Sequence, residues 1–287
     1  MAYEGRAYSL GAGTVVNAIA TWKGAAFGID LKTFAHVELD HSEKAVRGYI
    51  GGMPEGDTSL IENCVRYVLD HFGLEIGGTV TTSSEVPLAR GLKSSSAAAN
   101  AAVLATLDAI GEEMDSLEAV RLGVRAAKDA GVTITGAFDD ACASFFGGFV
   151  VTDNRETELV RREERNADVL IFAPDRKAFS SGTNVERSRL IAPWVDIAYG
   201  LTLAGEYEKA MTLNGFLYCS ALGFDTEFLM RALEAGVKGV TLSGTGPSYV
   251  ALVDESSSHI LRGAWEECGI SGTMISTRIN NNGASKL

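Results

Sequence analysis

Glu85 to Ala102 reads EVPLARGLKSSSAAANAA, and the fold turns on this stretch. Pro87 and Gly91 mark a turn. Ser94, Ser95 and Ser96 stand where a helix N-cap belongs, and seven alanines between positions 97 and 109 then make a strong helix former. A glycine-bearing turn that feeds a helix N-terminus is a ready anion site. The first-turn N–H groups have no partner within the helix, the helix dipole places about half a positive charge there, and small side chains let a phosphate reach the backbone. Taken alone, serines before an alanine run also read as nothing more than a cap. The common P-loop is excluded, because G-x-x-x-x-G-K-[ST] needs Gly and Lys adjacent and Leu92 separates Gly91 from Lys93.

The surrounding chain fits a globular protein with internal ligand sites. Its 287 residues suggest about two domains, and 46% hydrophobic with 22% charged residues is ordinary for a packed core. A net charge of −12 argues against nucleic-acid or anionic-membrane partners, which need a basic face. An anionic small molecule must then be met by local donors. Cys64, Cys142, Cys219 and Cys268 are widely spaced and form no C-x-x-C pair, so neither a zinc site nor a disulfide framework is expected, and a reducing cytoplasm fits. No apolar run has the length of a membrane span, and the N-terminus lacks the pattern of a signal peptide. Monomer and homodimer both remain open.

Outward from the loop, residues 3 to 40 read as strands broken near Lys23-Gly24. Thr58 to Phe72 has amphipathic helical spacing, with Ser59 and Glu62 as a capping box and Gly73 as its stop. GGTVTTSSEV is a strand that delivers the chain into the loop. Asp115 and Glu118 cap a further helix that runs to about Ala130. Beyond it, KDAGVTITGAFDDACASFFGGFVV carries Asp129, Asp139 and Asp140 beside glycines, and phosphoryl transfer needs such carboxylates to hold magnesium and to orient or deprotonate an acceptor hydroxyl. Adjacent aspartates are also common in solvated loops. The charged stretch from 153 to 168 reads as irregular and as the domain boundary, which gives domains of 1–155 and 156–287. DVLIFAP is then a buried strand, residues 193–223 and 226–236 are helical, and GVTLSGTGPSYVALV is strand, glycine loop, strand.

From Pro87 to Ser96 the pattern P-x-x-x-G-L-x-S-S-[SA] resembles the second motif of the GHMP kinases, the superfamily of galactokinase, homoserine kinase and mevalonate kinase. The SGTGPS segment near the C-terminus resembles the third motif, which folds against the phosphate loop. The opening GAGTVVNAIATWKGAAFGIDL is most similar to the archaeal shikimate kinases of this superfamily. The resemblance implies a two-domain α+β fold, ribosomal-S5-like in its N-terminal half and ferredoxin-like in its C-terminal half, with ATP and Mg2+ in the cleft between. It implies that Pro87, Gly91, Leu92, Lys93, Ser94, Ser95 and Ser96 bind ATP and that Lys23 stabilises charge. Counting back from Gly147 in the family's spacing selects Asp140 as the catalytic acid and Asp129, with Ser95, as metal ligands. Asp139 beside Asp140, and Asp rather than Glu at 129, depart from the pattern, so the choice between Asp139 and Asp140 stays open. Asn17, Arg187, Arg189 and Arg278 are the expected acceptor ligands, arginine forks suiting a carboxylated acceptor such as shikimate. A homoserine kinase, an ATP-dependent decarboxylase and a non-catalytic sensor of the same fold are the alternatives.

Overall fold

The structure is a computed structural model that describes residues 3–175 and 184–287. The chain opens with two long antiparallel strands, β1 (Tyr3–Val16) and β2 (Lys23–Asp40). β3 (Val46–Ile50), α1 (Ser59–His71) and β4 (Gly77–Ser84) follow, then α2 (Ser94–Ile110), α3 (Ser116–Asp129), α4 (Phe138–Phe146), β5 (Phe149–Asp153) and β6 (Glu158–Glu163). The second half holds β7 (Asp168–Pro174), α5 (Val185–Arg189), α6 (Ala192–Leu203), α7 (Tyr207–Leu222) and α8 (Glu227–Glu234). It ends with β8 (Gly239–Leu242), β9 (Tyr249–Val253), α9 (Glu255–Glu266), β10 (Gly272–Arg278) and β11 (Ser285–Lys286).

Two sheets divide these strands, an α+β arrangement as expected. The first has the order β11-β1-β2-β4-β3, with β5 and β6 attached through β2. β2 is long because it serves two neighbours on one side. Its far half, Thr33 to Asp40, pairs with β4, and its near half, Lys23 to Phe27, pairs with β5. The second sheet has the order β10-β7-β9-β8. β6 pairs with β5, so the stretch expected to be irregular contains a strand whose exposed residues alternate with half-buried ones. The first sheet therefore runs past residue 155. It also recovers the last residues of the chain, since β11 pairs with β1.

The alanine run of α2 is a packing device before it is a matter of propensity. Most of the helix is buried, including Ala97, Ala99, Ala101, Ala102 and Ala105, because α2 lies against β1 with α1, α3 and α4 around it. A side chain on Gly5 of β1 would strike the α2 backbone at Ala105 and Ala109. Small residues on both elements let strand and helix approach this closely, which is how the sheet fixes the position of the loop in front of α2. One core cluster joins the halves, taking in Val15, Phe27 and Phe149 from the first and Val195, Met211 and Leu242 from the second. Phe149 stacks on Tyr207 with ring centroids 4.4 Å apart.

Three local readings need correction. α1 begins after Thr58, and Glu62 Oε1 accepts from the Thr58 hydroxyl at 2.8 Å and from the Gly48 N–H at 2.8 Å, so Ser59 is its first residue and not its cap. Lys93, in the left-handed conformation at φ 65°, occupies the position before α2, and Ser94 to Ser96 form the first turn. The helical stretch from 193 to 223 breaks between α6 and α7 at Gly205, whose φ is 79°. No helix among the described residues is long and apolar enough to cross a membrane.

Candidate functional site

The loop in front of α2 is built by backbone that only certain residues adopt. Gly91 has φ 79°, and a side chain there would run into the carbonyl oxygens of Ser243 and Gly246. Those belong to the glycine loop between β8 and β9, so the two glycine-rich segments fold against each other as the motif order implies. Ser243 Oγ donates to Gly91 O at 2.8 Å, and the Ala12 N–H of β1 donates to Leu92 O at 3.2 Å. Arg90 anchors the outer side, donating to Ala173 O at 2.8 Å. Pro87 is half-buried at the entry to the loop. Lys93 O accepts the Ala97 N–H at 3.0 Å, while the amides of Ser94, Ser95 and Ser96 have no acceptor among the described residues. A capping side chain would have occupied one of them. Left open, they are available to an anion at the positive end of the helix dipole.

The left-handed residue Lys93 sends consecutive side chains to opposite faces. Ser94 and Ser95 line a cavity of about 160 Å³ with Ser83, Leu60, Ile61 and Leu88. Lys93 lines a smaller one, of about 50 Å³, with Asp139, Asp140, Asn17, Thr135 and Thr245.

The acids stand in the first turn of α4, a helix whose preceding residue, Ala137, is left-handed at φ 48° and offers no side-chain cap. Asp140 Oδ1 lies 2.9 Å from Lys93 Nζ, a pair only 15% and 8% exposed, but at angles that leave this oxygen without a hydrogen bond. Asp139 is turned inward and is 4% exposed, packed where a side chain on Gly24 of β2 would otherwise stand. Burial pushes its carboxyl up to about 7, and the neighbouring Asp140 charge adds to the rise, while Lys93 and the Asn154 amide oppose it. The two adjacent aspartates thus differ: one meets the loop lysine, the other is held by the protein interior.

Other expected residues are distributed more widely. Asn17 reaches the small cavity, but its side chain is engaged, donating to Gly244 O at 2.8 Å and accepting from the Ile19 N–H at 2.9 Å. Its N–H donates to Asn214 Oδ1 of α7 at 2.9 Å, so it also joins the two halves. Lys23 does not line the small cavity; its Nζ is 3.6 Å from Asp196 Oδ1 and above the Tyr199 ring, and the ammonium beside Asp140 is that of Lys93. Asp129 lines neither cavity. Its Oδ2 accepts from the Tyr67 hydroxyl and lies 3.9 Å from Arg125 Nε. Of the segment that carries the first two arginines, residues 177–183 lie outside the described residues. Arg187 donates to Ser220 O at 3.1 Å and Arg189 is exposed on the same short helix, α5, which packs on α7. Arg278 is brought instead to a separate open cleft on the second sheet, 3.3 Å from Asp30 Oδ2.

Several residues without a motif prove to shape the site. Thr14 Oγ1 accepts the Gly244 N–H at 2.8 Å, Asn214 holds Asn17, and Asn154 contacts Asp139 through both ends of its amide. Single polar residues on a strand, in a helix and just beyond a strand carry no periodic signal, and only their partners in space reveal them. Among the described residues, no group of three or more His, Cys, Asp or Glu is arranged to hold a metal.

The GHMP kinases N terminal domain matches residues 59–148, a span that includes the loop, α2 and both acids of α4. The chain is 68% identical to the shikimate kinase of Methanococcoides burtonii over the full length of both proteins. It is also 68% identical to that of Methanosarcina mazei, over 99% of this chain and 97% of the relative. Among solved structures, homoserine kinase from Cytophaga hutchinsonii superposes with a TM-score of 0.77 at 18% identity, covering 99% of this chain and 97% of that one. Identity over the whole length, and a shared architecture that extends across both sheets, lead to one conclusion: the chain belongs to the GHMP kinases, in the branch represented by the archaeal shikimate kinases.

Proposed function

We propose that the protein transfers the γ-phosphoryl group of ATP to the 3-hydroxyl of shikimate. The observation that carries this reading is the full-length 68% identity to shikimate kinases, and the Lys93–Asp140 pair at the foot of the phosphate loop supplies the chemistry. In this reading the open amides of Ser94 to Ser96 hold the nucleotide phosphates, and the cavity floored by Leu60, Ile61 and Leu88 takes the apolar part of the nucleotide. The acceptor enters the small cavity on the other face. Its hydroxyl oxygen bonds to the γ-phosphorus as the bond from that phosphorus to the bridging oxygen breaks, ADP departs, and the hydroxyl proton passes to Asp140. Lys93 offsets the charge that develops on the transferring group, the role first expected of Lys23.

Magnesium would partly neutralise the phosphates when bound. The Ser95 hydroxyl on the loop and the Asp129 carboxylate near the end of α3 are the type of oxygen donor that this cation prefers, and Asp129, which lines neither cavity, would have to turn from Tyr67 and Arg125 to reach it. A cation shared with nucleotide phosphates needs only one or two protein ligands, so the lack of a larger carboxylate cluster among the described residues is no obstacle. Arg187 and Arg189 are the arginines proposed for the acceptor carboxylate, since α5 rests on the helix that supports Asn17.

Mass spectrometry of products formed from ATP with shikimate or with homoserine tests the assignment. We expect 3-phosphoshikimate; robust turnover of homoserine with none of shikimate would overturn the acceptor and leave the family standing. Raised magnesium should restore activity to Asp129→Asn and leave Asp140→Asn inactive, which separates metal ligand from catalytic acid.

A further inference from the structure

We infer that Asn154, just beyond the end of β5, is a positioning residue for the acid pair, its side-chain amide fixing the first turn of α4 so that Asp140 meets the phosphate loop. The inference rests on the reading of Asp140 as the acid of phosphoryl transfer.

Asn154 is 1% exposed and makes three side-chain hydrogen bonds. Oδ1 accepts from the Asp139 N–H at 3.1 Å and from the Thr152 hydroxyl at 2.8 Å, and Nδ2 donates to Asp139 Oδ1 at 2.7 Å. The orientation of the amide is forced, because a backbone N–H only donates and the neighbouring carboxylate accepts. Asn154 is itself tied down, its N–H donating to Trp22 O at 2.7 Å at the turn between β1 and β2.

The arrangement is a helix cap delivered from another element. A helix normally covers its first amides with a side chain from the residue before it, but Ala137 has none to offer. Asn154 covers the Asp139 amide from the adjoining strand and grips the Asp139 carboxylate with its other end. α2 grips the same helix from the opposite side, where Asn100 Nδ2 donates to Ala141 O at 2.9 Å. A local serine cap would stabilise α4 equally well. Capping from β5 adds a fixed relation between α4, β5 and the turn after β1, and therefore a fixed direction for Asp140, the next residue along.

The charged and titratable groups around Asp139 are Asp140 on its own helix, Lys93 from the loop and, farther off, Tyr218 from α7 and Cys142 one turn on. Of the groups that favour its ionised form, the Lys93 charge acts most strongly and from a distance, and Asn154 is the side chain that donates to the carboxylate directly. Loss of the Asn154 amide should raise the proton affinity of Asp139 and loosen the aim of Asp140 together.

Two variants and two readouts test this. In Asn154→Ala we expect kcat with ATP and shikimate to fall about tenfold or more with the ATP KM within about twofold, because the group acts on the acid and not on the nucleotide. Independently of any substrate, the 13C signal of the Asp139 carboxyl should titrate about one pH unit higher than in the wild type. Thr152→Val, which removes only the hydroxyl that steadies the amide, should shift both readouts in the same direction by less, and it decides the matter if Asn154→Ala does not fold. An unmoved Asp139 titration in the folded variants would overturn the inference, as would kcat and KM changing in proportion. Lack of shikimate turnover by the wild type would count against the acceptor alone, since the titration still reads out the grip on Asp139.

Discussion

The two faces of the phosphate loop are one residue apart in sequence and opposite in character. On the Lys93 face the cavity is about 50 Å³ and its wall carries an ammonium and two carboxylates. On the Ser94 face it is about 160 Å³, with hydroxyls at the rim and Leu60, Ile61 and Val132 beneath. The left-handed turn at Lys93 is what separates them. In the proposed reaction one peptide segment would divide nucleotide from acceptor, with the transferring phosphoryl group at the open amides between the faces.

The charged face should fail first and hardest. Asp140→Asn keeps shape and removes the proposed proton acceptor. A coupled assay is expected to show kcat down about a hundredfold or more with the ATP KM within about twofold, and a comparable loss of ATP affinity would show that the faces are not separate. The seam between them is next. Gly91→Ala forces a side chain into a left-handed position against the Ser243 and Gly246 carbonyls, and denaturant unfolding should reveal a loss of about 2 kcal/mol or more. Equal stability would mean that the two glycine loops are not pressed together as described.

Asp139→Asn should do the reverse. Its folded carboxyl sits near 7, above the ordinary 3.8, so the folded state holds a proton that the unfolded chain has released between those values. The contribution is whole below about 3.8 and gone once pH rises past about 7. Asn at this position removes the cost of a buried charge while keeping an oxygen for the Asn154 amide. Thermal unfolding at pH 8 should give a higher Tm than wild type, by several degrees, with the gain vanishing toward pH 4. A gain of equal size at both pH values would dissociate the effect from charge. The apolar face should respond least among the site variants: Leu88→Ala is expected to raise the ATP KM about three- to tenfold with kcat nearly constant, and a change confined to the shikimate KM would exchange the roles of the faces. Arg278→Ala, remote from both, should leave either KM within about twofold.

Much of this was legible in the sequence because backbone need and residue type coincide there. Gly91 can be read as a turn from the peptide alone, whereas the serines read as caps and prove to be the first turn behind Lys93, and the far half of β2 shows alternation that survives folding. The resemblance of SGTGPS to the third motif implied that this loop would fold against the phosphate loop, as Ser243 does on Gly91. What escaped depends on partners far along the chain. α4 begins at a left-handed alanine with no capping residue, so its start has no local signal, and the difference between Asp139 and Asp140 arises from which one Gly24 makes room for. Lys23 and Lys93 look alike as lysines beside glycines or serines; only the pairing of Lys23 with Asp196 and of Lys93 with Asp140 distinguishes them. β6 was hidden by its charge, since it lies on β5 at the edge of the sheet with half of its residues in water.

The return of β11 to the first sheet gives the molecule a mechanical property. The chain passes between the sheets at 164–167 and again at 279–284, so the lobes are joined by two straps and not one. A single strap permits twisting about any direction, whereas two separated straps restrict rigid motion to rocking about the line that joins them. Phosphate loop, glycine loop and Asn17 bridge the lobes as well, so neither lobe can turn freely about a single crossing of the chain.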